Sequence, residues 1–528
     1  MKRSWGWTGA LAALALAAGC ESYPEPPLDY QGSSYTQRSR TEADKLLVGI
    51  TELSLAKAQE IAVANNPSYI SAYYAITAAK MKYYQALGAY SPELSANFTL
   101  KHTNTEGERM YNANVANRSR TFSPSVSLQA TWLIFDGLSR EFQVKIGQAN
   151  FNAQKALTED DCRLLMRNVA YAYNEVMLAA ENKRIAVEDM AFQVKNLGYT
   201  ELKFQVGAVP LSDVLNFRAQ ANVAEGKRIT AEYQYQVALY ALAVLMGYPE
   251  GTLPPSIKFP EVRSIKLVDL PTVDIYLDNA LANRPDLRAY REQLKIADYQ
   301  LSQTYSSYSP TVSAFAEYNF TSSNSRSVYD AGIVHTDTGN NTFSFGAQAN
   351  WTLFNGFIRY NKVREARANL AAQQYQVADS WLKVVQEVRN AHINYVQNVK
   401  QARLYEKTLA ITTRQRDLVD DQYRAGNTAL TRLNEVQRDL VDAQTTLASA
   451  YINVQNAKAQ LEAAAAMNAN EYDRAPKPFE KKISVTSFEP LPAVSKPIPV
   501  IPDSASQARP AGQQGNIPVW DPDRQKTK

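Results

Sequence analysis

Side chains able to do chemistry are few in this sequence of 528 residues, and they are scattered along it. The three histidines, His102, His335 and His392, lie far apart, and none belongs to a His-Glu-x-x-His zinc motif. No paired cysteines, phosphate-binding P-loop or Gly-x-Ser-x-Gly nucleophile motif occurs. The three acids at 159–161 fall in a helical pattern, which favours a solvated surface over a general acid/base pair. The sequence therefore predicts a protein that is not an enzyme and that uses no cofactor or metal.

One residue near the start of the chain, Cys20, is predicted to be modified. Two basic residues, a short apolar stretch and several small residues precede it, as in a secretory signal peptide over 1–19. Cys20 stands where a bacterial lipoprotein carries its lipidated cysteine, although Ala17 replaces the leucine usual at that position. We expect a lipidated N-terminal arm over 20–50, with simple cleavage nearby as the alternative. Glu21 after the cysteine is typical of enterobacterial lipoproteins sorted to the outer membrane.

The charges and cysteines left after cleavage give no reason to expect a nucleic-acid-binding or disulfide-rich protein. The formal net charge falls from +4 to +2, because two basic residues and no acid are removed. Such a balance gives no reason to expect nucleic acid as a partner. Only Cys162 remains besides Cys20, so no disulfide framework can form and an unreactive thiol is expected. No later segment holds an apolar run long enough for a transmembrane helix, so a membrane would have to be crossed by strands.

The sequence contains an internal duplication, because the same order of predicted elements occurs twice along the chain. Landmarks recur at an offset of 218 or 219 residues (285 − 67 = 218, 426 − 207 = 219), and they are Asn66-Pro67 with Arg284-Pro285, Tyr90-Ser91-Pro92 with Tyr308-Ser309-Pro310, Trp132 with Trp351, and Gly207 with Gly426. An offset that holds across several element types implies two structurally equivalent halves. We assign the first repeat to 51–247, the linker to 248–272 and the second repeat to 273–467. The Pro-rich tail 468–528 is predicted to be largely disordered.

Each repeat contains two segments with period-two alternation, which is typical of strands. The segments run over about 93–102 and 121–135, then 311–321 and 342–354, with polar loops at 103–120 and 321–341. Their length suits tilted membrane-spanning strands, but the same alternation describes any half-buried antiparallel sheet. The secretory signal favours a membrane sheet, and so do four aromatic residues placed like an interfacial girdle, namely Trp132, Phe135, Trp351 and Phe354.

Four strands are too few to close a barrel, since even small barrels need about eight. An open strand edge in lipid leaves backbone groups without hydrogen-bond partners. Several copies of the chain are therefore required if the strands cross a membrane, and the strand pattern does not fix their number.

The longest elements are two helical runs over 139–205 and 358–424. The second run has neither glycine nor proline, and its apolar residues follow a heptad pattern typical of a helix packed against a neighbour. At ~1.5 Å per residue, each helix would be on the order of 100 Å long, too long for a compact domain. Both runs end at a glycine turn, and the return helices predicted after the turns cover 212–246 and 431–467.

With this order of elements the chain resembles the TolC-like outer-membrane efflux channel family, especially the lipoproteins that serve resistance-nodulation-division pumps. The resemblance covers about 53–467, and it includes Trp-Leu-Ile-Phe-Asp-Gly at 132–137 and Trp-Thr-Leu-Phe-Asn-Gly at 351–356. It implies an α+β membrane protein whose homotrimer forms a twelve-stranded transmembrane β-barrel on a long periplasmic α-helical barrel. It also implies a periplasmic adaptor, an inner-membrane pump and outer-membrane lipid as partners.

The resemblance assigns roles to the two glycine turns. The residues that match the family's adaptor-docking tips are Gly207, Leu211, Asp213, Val214, Leu215, Gly426, Leu430 and Leu433. The best-known family member closes its tunnel with aspartate rings just after the second turn, but Arg432 and Glu435 occupy those positions here. We expect a periplasmic gate in which Glu435 forms a carboxylate ring or Arg432 pairs with an acid such as Asp213. A solvated helix face is the alternative for each residue.

The predicted function is a passive exit duct for drugs or other small toxic compounds, driven by the pump through the adaptor. Two alternatives remain. One is the outer-membrane channel of a type I protein secretion system, and the other is a non-conducting trimeric coiled-coil surface or structural protein. The pore sequence does not separate small molecules from proteins as substrates.

Overall fold

The duplication is visible as two successive sets of the same elements. The computed structural model describes residues 51–106, 118–248, 251–254, 257–262, 265–329 and 332–467; the predicted signal peptide, Cys20, the arm and the tail lie outside these ranges. Within them the elements are α1 (Leu55–Asn65), α2 (Pro67–Gly88), β1 (Glu93–Glu106), β2 (Arg118–Phe135), α3 (Ser139–Gln205), α4 (Leu211–Leu245), α5 (Val273–Asn283), α6 (Pro285–Ser306), β3 (Thr311–Tyr329), β4 (Gly332–Asn350), α7 (Ile358–Arg424) and α8 (Leu430–Ala464). Corresponding helices have equal lengths of 11, 22, 67 and 35 residues, so the repeat extends to every described helix.

A proline stands at the first position of α2 and of α6, where its missing N–H costs no hydrogen bond. The preceding residue differs between the repeats. Asn66 caps α2 by accepting from the backbone N–H of Ser68 at 3.0 Å. Arg284 has no such capping bond, and Asp286 instead accepts from the N–H of Leu287 at 2.9 Å.

Each long helix begins after two residues in the left-handed region. Gly137 and Leu138 have φ values of 68° and 69°, and Gly356 and Phe357 have values of 66° and 63°. A side chain on Gly137 would lie 2.6 Å from the carbonyl oxygen of Ser306, whereas the space beside Gly356 is open. The 67 residues of α3 and of α7 each span about 100 Å. The first junction is therefore the more tightly packed of the two.

The strands form one antiparallel sheet in the order β1-β2-β3-β4. The central β2–β3 pair joins the repeats, with Trp132 opposite Ala314 and an irregularity between Leu133 and Phe135. Within the described residues, β1 and β4 each pair on one side only. Their free edges carry the unpaired backbone groups that an isolated sheet leaves.

The strands of the second repeat differ from the predicted ones. The predicted polar loop over 321–341 is wrong, because β3 continues to Tyr329 and β4 starts at Gly332. The first hairpin also lengthens, with β1 reaching Glu106 and β2 starting at Arg118. Serine, threonine and asparagine occupy both faces of these extensions, so no apolar alternation marked them as strand. At the other end β4 stops at Asn350, before the predicted limit of 354.

The main core lies midway along the long helices. There α1 packs on α3 with the end of α4 and with parts of the linker, and the fully buried members include Leu53, Ile61, Val169, Val176, Leu242 and Met246. Cys162 lies in a neighbouring cluster with Tyr69, and burial raises the pKa of its thiol to about 11. Such a thiol is protonated and unreactive at neutral pH. No described helix combines the length and the apolar character needed to cross a membrane.

Candidate functional site

The two turns at the end of the long helices share one backbone design. We call residues 202–217 the first tip and residues 421–436 the second tip. Gly207 and Gly426 have φ values of 75° and 81°, which favour glycine. The N–H of Ala208 donates to the carbonyl of Lys203 at 2.9 Å, and the N–H of Asn427 donates to that of Gln422 at 2.8 Å. Both bonds close the last turn of a long helix and fix where the return helix starts.

A small apolar core holds the two tips together. Phe217 of the first tip is fully buried, and its ring lies edge-on to that of Tyr423, with 6.2 Å between centroids. The other members of this cluster are Val419, Leu430, Leu433 and Val436. Asn434 adds a polar link by donating to the side chain of Asn216 at 3.1 Å. The tips of one chain are therefore a single packed unit.

The predicted docking residues divide into exposed and buried groups. Leu211 is 52% exposed, and Leu215 is 53% exposed. Val214, Leu430 and Leu433 are buried, so their side chains support the tips and are not available to a partner. The accessible apolar surface at this end thus belongs to the first tip, where Leu202 and Val206 are also exposed.

The predicted gate residues do not pair as expected within the chain. Arg432 donates from Nη1 to Glu435 Oε2 at 2.7 Å, and both side chains are exposed. The expected pair of Arg432 with Asp213 is therefore not formed in the chain. Positions three apart on one helix lie on the same face, which brings Glu435 within reach of Arg432. The only side-chain hydrogen bond of Asp213 among the described residues is a long one of 3.5 Å from Ser212 Oγ.

The sheet presents two chemically different faces. Alternate residues on one face are exposed and apolar, and they include Leu94, Phe98, Leu100, Val126, Leu128, Tyr318, Phe320, Phe343 and Phe345. The other face carries hydroxyl side chains that bond to one another across β2 and β3, with separations of 3.1 Å for Ser119–Ser327 and 3.2 Å for Thr121–Ser325. One face is therefore suited to lipid and the other to water.

The predicted interfacial aromatics stand where strands meet helices. Trp132 and Phe135 lie at the end of β2, whereas Trp351 and Phe354 follow β4, outside the strand. The indole N–H of Trp132 donates to the carbonyl of Tyr90 at 3.0 Å, and that of Trp351 to the carbonyl of Tyr308 at 3.1 Å. All four side chains are exposed.

Two arginines at these junctions escaped the sequence-based reasoning. Arg140 lies 4.9 Å from the ring centre of Tyr90, and Arg359 lies 5.6 Å from that of Tyr308. Arg140 also forms a 3.1 Å ion pair with Asp136, whose counterpart is the neutral Asn355. The sequence signal for these contacts is an arginine three residues after Gly137 and again after Gly356.

Of the three acids at 159–161, Asp161 is exposed as predicted, but Glu159 and Asp160 are not simply solvated surface. Asp160 pairs with the buried Arg163 at 2.8 Å, and Glu159 pairs with Arg288 of the second repeat. Burial raises the pKa of Asp160, and the charge of Arg163 offsets part of that effect. Glu159 therefore links α3 to α6, whereas the Asp160–Arg163 pair lies within α3. In the described part of the chain, no group of three or more histidine, cysteine or acidic side chains is arranged to hold a metal ion.

The sequence matches a known family over both repeats. The profile of the family described as "Outer membrane efflux protein" matches residues 59–248 and 276–467. Outer membrane protein TolC of Escherichia coli (strain K12) is 24% identical over 348 residues, which cover 65% of this chain and 68% of that protein. Alkaline protease secretion protein AprF of Pseudomonas aeruginosa is 24% identical over 421 residues, which cover 77% of this chain and 81% of that protein.

Solved structures of outer-membrane channels have the same fold. A crystal structure of CusC aligns with a TM-score of 0.65 at 17% identity, covering 78% of this chain and 92% of that one. The Campylobacter jejuni CmeC outer membrane channel aligns with a TM-score of 0.63 at 16% identity, covering 79% of this chain and 88% of that one. The long helices and the four-stranded sheet are thus an arrangement already known from channel proteins.

Proposed function

The chain belongs to the outer membrane efflux protein family and is an outer-membrane efflux channel, not an enzyme, and we propose that it is the passive exit duct of a tripartite system for drugs or other small toxic compounds. In this proposal an inner-membrane pump supplies the energy, and a periplasmic adaptor links the pump to the duct. The observation that carries the proposal is the first tip, where Leu211 and Leu215 remain half exposed at the end of a helix about 100 Å long. Exposed leucines on a packed turn are suited to an apolar partner surface.

We infer that three copies of the chain assemble. The backbone groups at the free edges of β1 and β4 need hydrogen-bond partners, and the exposed apolar face of the sheet needs an apolar environment. Pairing β4 of one copy with β1 of the next satisfies the edges, and three copies give twelve strands, enough to close a barrel. The helices of the three copies would then enclose a periplasmic tunnel.

The periplasmic end of the tunnel is proposed to close at the second tip. Three copies of the Arg432–Glu435 pair would place alternating charges around a narrow opening. Contacts between copies then decide whether Asp213 of one chain meets Arg432 of the next. This ring would resist ion flow until the adaptor moves the tips apart.

We also propose that Cys20 carries lipid, which would tether the chain to the outer membrane independently of its strands. Mass spectrometry of the N-terminal peptide tests this assignment. A mature chain that begins at another residue without acyl chains would contradict it.

Export of proteins by a type I system is a second candidate, because the relative AprF is named for the secretion of alkaline protease. A strain lacking this gene separates the two functions. Intracellular accumulation of dyes or antibiotics is expected, with secreted proteins at normal levels. Loss of a secreted protein with unchanged dye accumulation would instead establish the secretion function.

A non-conducting coiled-coil protein is the candidate from another class. Purified trimers in planar bilayers are expected to show single-channel steps, larger or more frequent when the second tip is loosened by Arg432→Ala. Absence of conductance in both the wild type and Arg432→Ala would favour the non-conducting structural protein.

A further inference from the structure

Three basic side chains lie side by side on the apolar face of the sheet, near the hairpin ends. The register sets Arg120 of β2 opposite Arg326 of β3, and Arg326 opposite His335 of β4. Each lies an even number of positions from an exposed aromatic residue on its own strand, so all three share the apolar face; these aromatic residues are Phe122, Phe320 and Phe343. We call Arg120, Arg326 and His335 the basic row.

The basic row lacks the counter-charge that neighbouring positions have. Arg118, one row further out, forms a 3.0 Å ion pair with Glu106. Among the described residues, neither Arg120 nor Arg326 makes an ion pair or hydrogen bond to another side chain, and Asp337 forms no ion pair with the row. Like charges directly opposite on adjacent strands destabilise a sheet. An anion between the two guanidinium groups would remove that repulsion.

The position of the basic row along the strands indicates where such an anion would come from. On β2 the apolar face runs from Trp132, beside the helices, to Phe122. This stretch covers roughly 33 Å along the strand, or about 25 Å along the membrane normal for a strand tilted by ~40°, the height of a barrel's apolar band. Arg120 is the next residue on that face. It therefore follows directly where the apolar band stops, on the side away from the helices.

We propose that the basic row binds the phosphate groups of a phosphomonoester-bearing lipid in the outer leaflet of the outer membrane. The inference rests on the proposed function for the orientation of the strands in the membrane. Guanidinium groups bind phosphate through paired N–H donors, and two of them on adjacent strands match the charge and oxygen number of a monoester. The acyl chains of the same lipid would lie along the exposed aromatic residues below. A lipid-borne phosphate therefore satisfies both the charge and the apolar surface.

Lipid binding by the purified full-length protein in detergent tests the site. The probes are a bisphosphorylated acylated glucosamine disaccharide lipid and the same lipid without phosphate, with inorganic phosphate as competitor. We expect the wild type to prefer the phosphorylated lipid about tenfold, as charge-assisted hydrogen bonds suggest. The Arg120→Gln/Arg326→Gln double variant is expected to reduce that preference to about twofold or less. Lys101→Gln, which removes a charge from the opposite face three residues nearer the helices, is expected to retain it.

Each other outcome overturns the site. The proposal fails if the wild type has no preference, if the double variant keeps it, or if Lys101→Gln loses it equally. Displacement of the lipid by inorganic phosphate at equal concentration would mean that the site takes free phosphate instead. Single-channel conductance of the double variant is expected to be unchanged. A protein that binds the lipid but never conducts would refute the duct and leave the lipid site in place.

Discussion

Leu211 and Leu430 occupy the same position in the two repeats, yet the first side chain is 52% exposed and the second only 8%. Val214 and its counterpart Leu433 are both buried, but the following position differs again, because Leu215 is exposed whereas its counterpart Asn434 bonds to Asn216. The two turns keep one backbone conformation. The duplicated turns therefore share a backbone conformation but differ in their side chains. The first tip presents exposed leucines, whereas the leucine at the matching position of the second tip packs in the apolar core that joins the tips.

A similar difference exists at the opposite end of the return helices. Asn66 donates to the carbonyl of Leu245, near the end of α4, at 2.9 Å. Its counterpart Arg284 donates to the carbonyl of Ala464, at the end of α8, at 3.1 Å. Both residues satisfy a carbonyl that a helix end leaves without a partner. The first repeat uses a neutral amide for this contact, and the second uses a buried cation.

The cation at this joint requires a charge balance that the amide does not. Arg284 is 4% exposed and pairs with Asp286 and Glu387, each at 2.7 Å. Burial alone would raise the pKa of Asp286, but the hydrogen bonds and charge of Arg284 outweigh it and hold that pKa below its usual value. The joint of the second repeat is therefore more sensitive to substitution than that of the first.

The largest effect is expected from Arg284→Ala. Removing one partner of a buried ion pair leaves the other charges uncompensated, so the free energy of unfolding should fall by about 3 to 5 kcal/mol. The matched change Asn66→Ala removes a cap and a neutral hydrogen bond, and it should cost only about 1 kcal/mol. Denaturant unfolding of the purified proteins at equal concentration measures both. Equal losses in the two variants would show that the two joints are energetically the same.

The repeat, the long helices and their turns could be predicted because each leaves a local pattern in the sequence. Gly207 and Gly426 mark turns by their conformational requirement, and a heptad pattern without glycine or proline marks a long helix. The ends of β3 and β4 could not be predicted. Their serines and asparagines are stabilised by the pairing partner across the hairpin, and a pattern read along one strand does not contain that partner.

The candidate site was predictable in position but not in the state of its side chains. The tip residues follow from the turns, whereas burial of Leu433 depends on Phe217, which belongs to the other repeat and lies far away in sequence. Arg432 could pair with Glu435 or with another acid, and the packing of the tips determines which acid is nearest. Residue type therefore identified the site, and long-range packing determined which residues a partner could reach.

A second test addresses the exposed surface of the first tip. Leu211→Ser/Leu215→Ser should weaken binding of the periplasmic adaptor encoded with the pump by about 2 kcal/mol, roughly 30-fold, because half-exposed leucines fill an apolar partner surface. Asn427→Ala/Thr431→Ala, two exposed polar positions of the second tip, is the control and should change affinity by less than about 0.5 kcal/mol. Surface plasmon resonance with immobilised adaptor measures both. Equal weakening would assign docking to both tips.

The strand–helix junctions provide a smaller contrast. Arg140 bonds to the charged Asp136 and to the carbonyl of Ile134, so Arg140→Ala should reduce the free energy of unfolding by about 1.5 kcal/mol. The side chain of Arg359 donates to the carbonyl of Thr352 and lies over the ring of Tyr308, but it has no carboxylate partner, because the bond to Asn355 comes from its backbone N–H. Arg359→Ala should therefore cost about 0.5 kcal/mol. Thermal unfolding in detergent compares the variants. A larger loss for Arg359→Ala would reverse the order of the two junctions.

The smallest effect on stability, and the sharpest test of the tips, is expected at Arg432. Its pair with Glu435 is exposed, and such pairs contribute about 0.2 to 1 kcal/mol. Arg432→Ala and Glu435→Ala should therefore leave unfolding almost unchanged but raise the closed-state conductance of trimers at neutral pH. Lys383→Ala is the control, because it breaks an exposed ion pair with Asp379, at 2.7 Å, on the long helix of the same tip but far from the turn.

The change in closed-state conductance depends on whether the Arg432–Glu435 pair lies at the closed opening of the tunnel. If the second tip closes the tunnel, removal of either member of the Arg432–Glu435 pair leaves three copies of an unbalanced charge around the opening, which repel one another and widen it. Lys383 lies far from the turn, so its loss should not add charge at the opening. An unchanged leak in both Arg432→Ala and Glu435→Ala would remove the gate from this tip. Asp213, which is half-buried and has no ion-pair partner among the described residues, would then be the next charge to test.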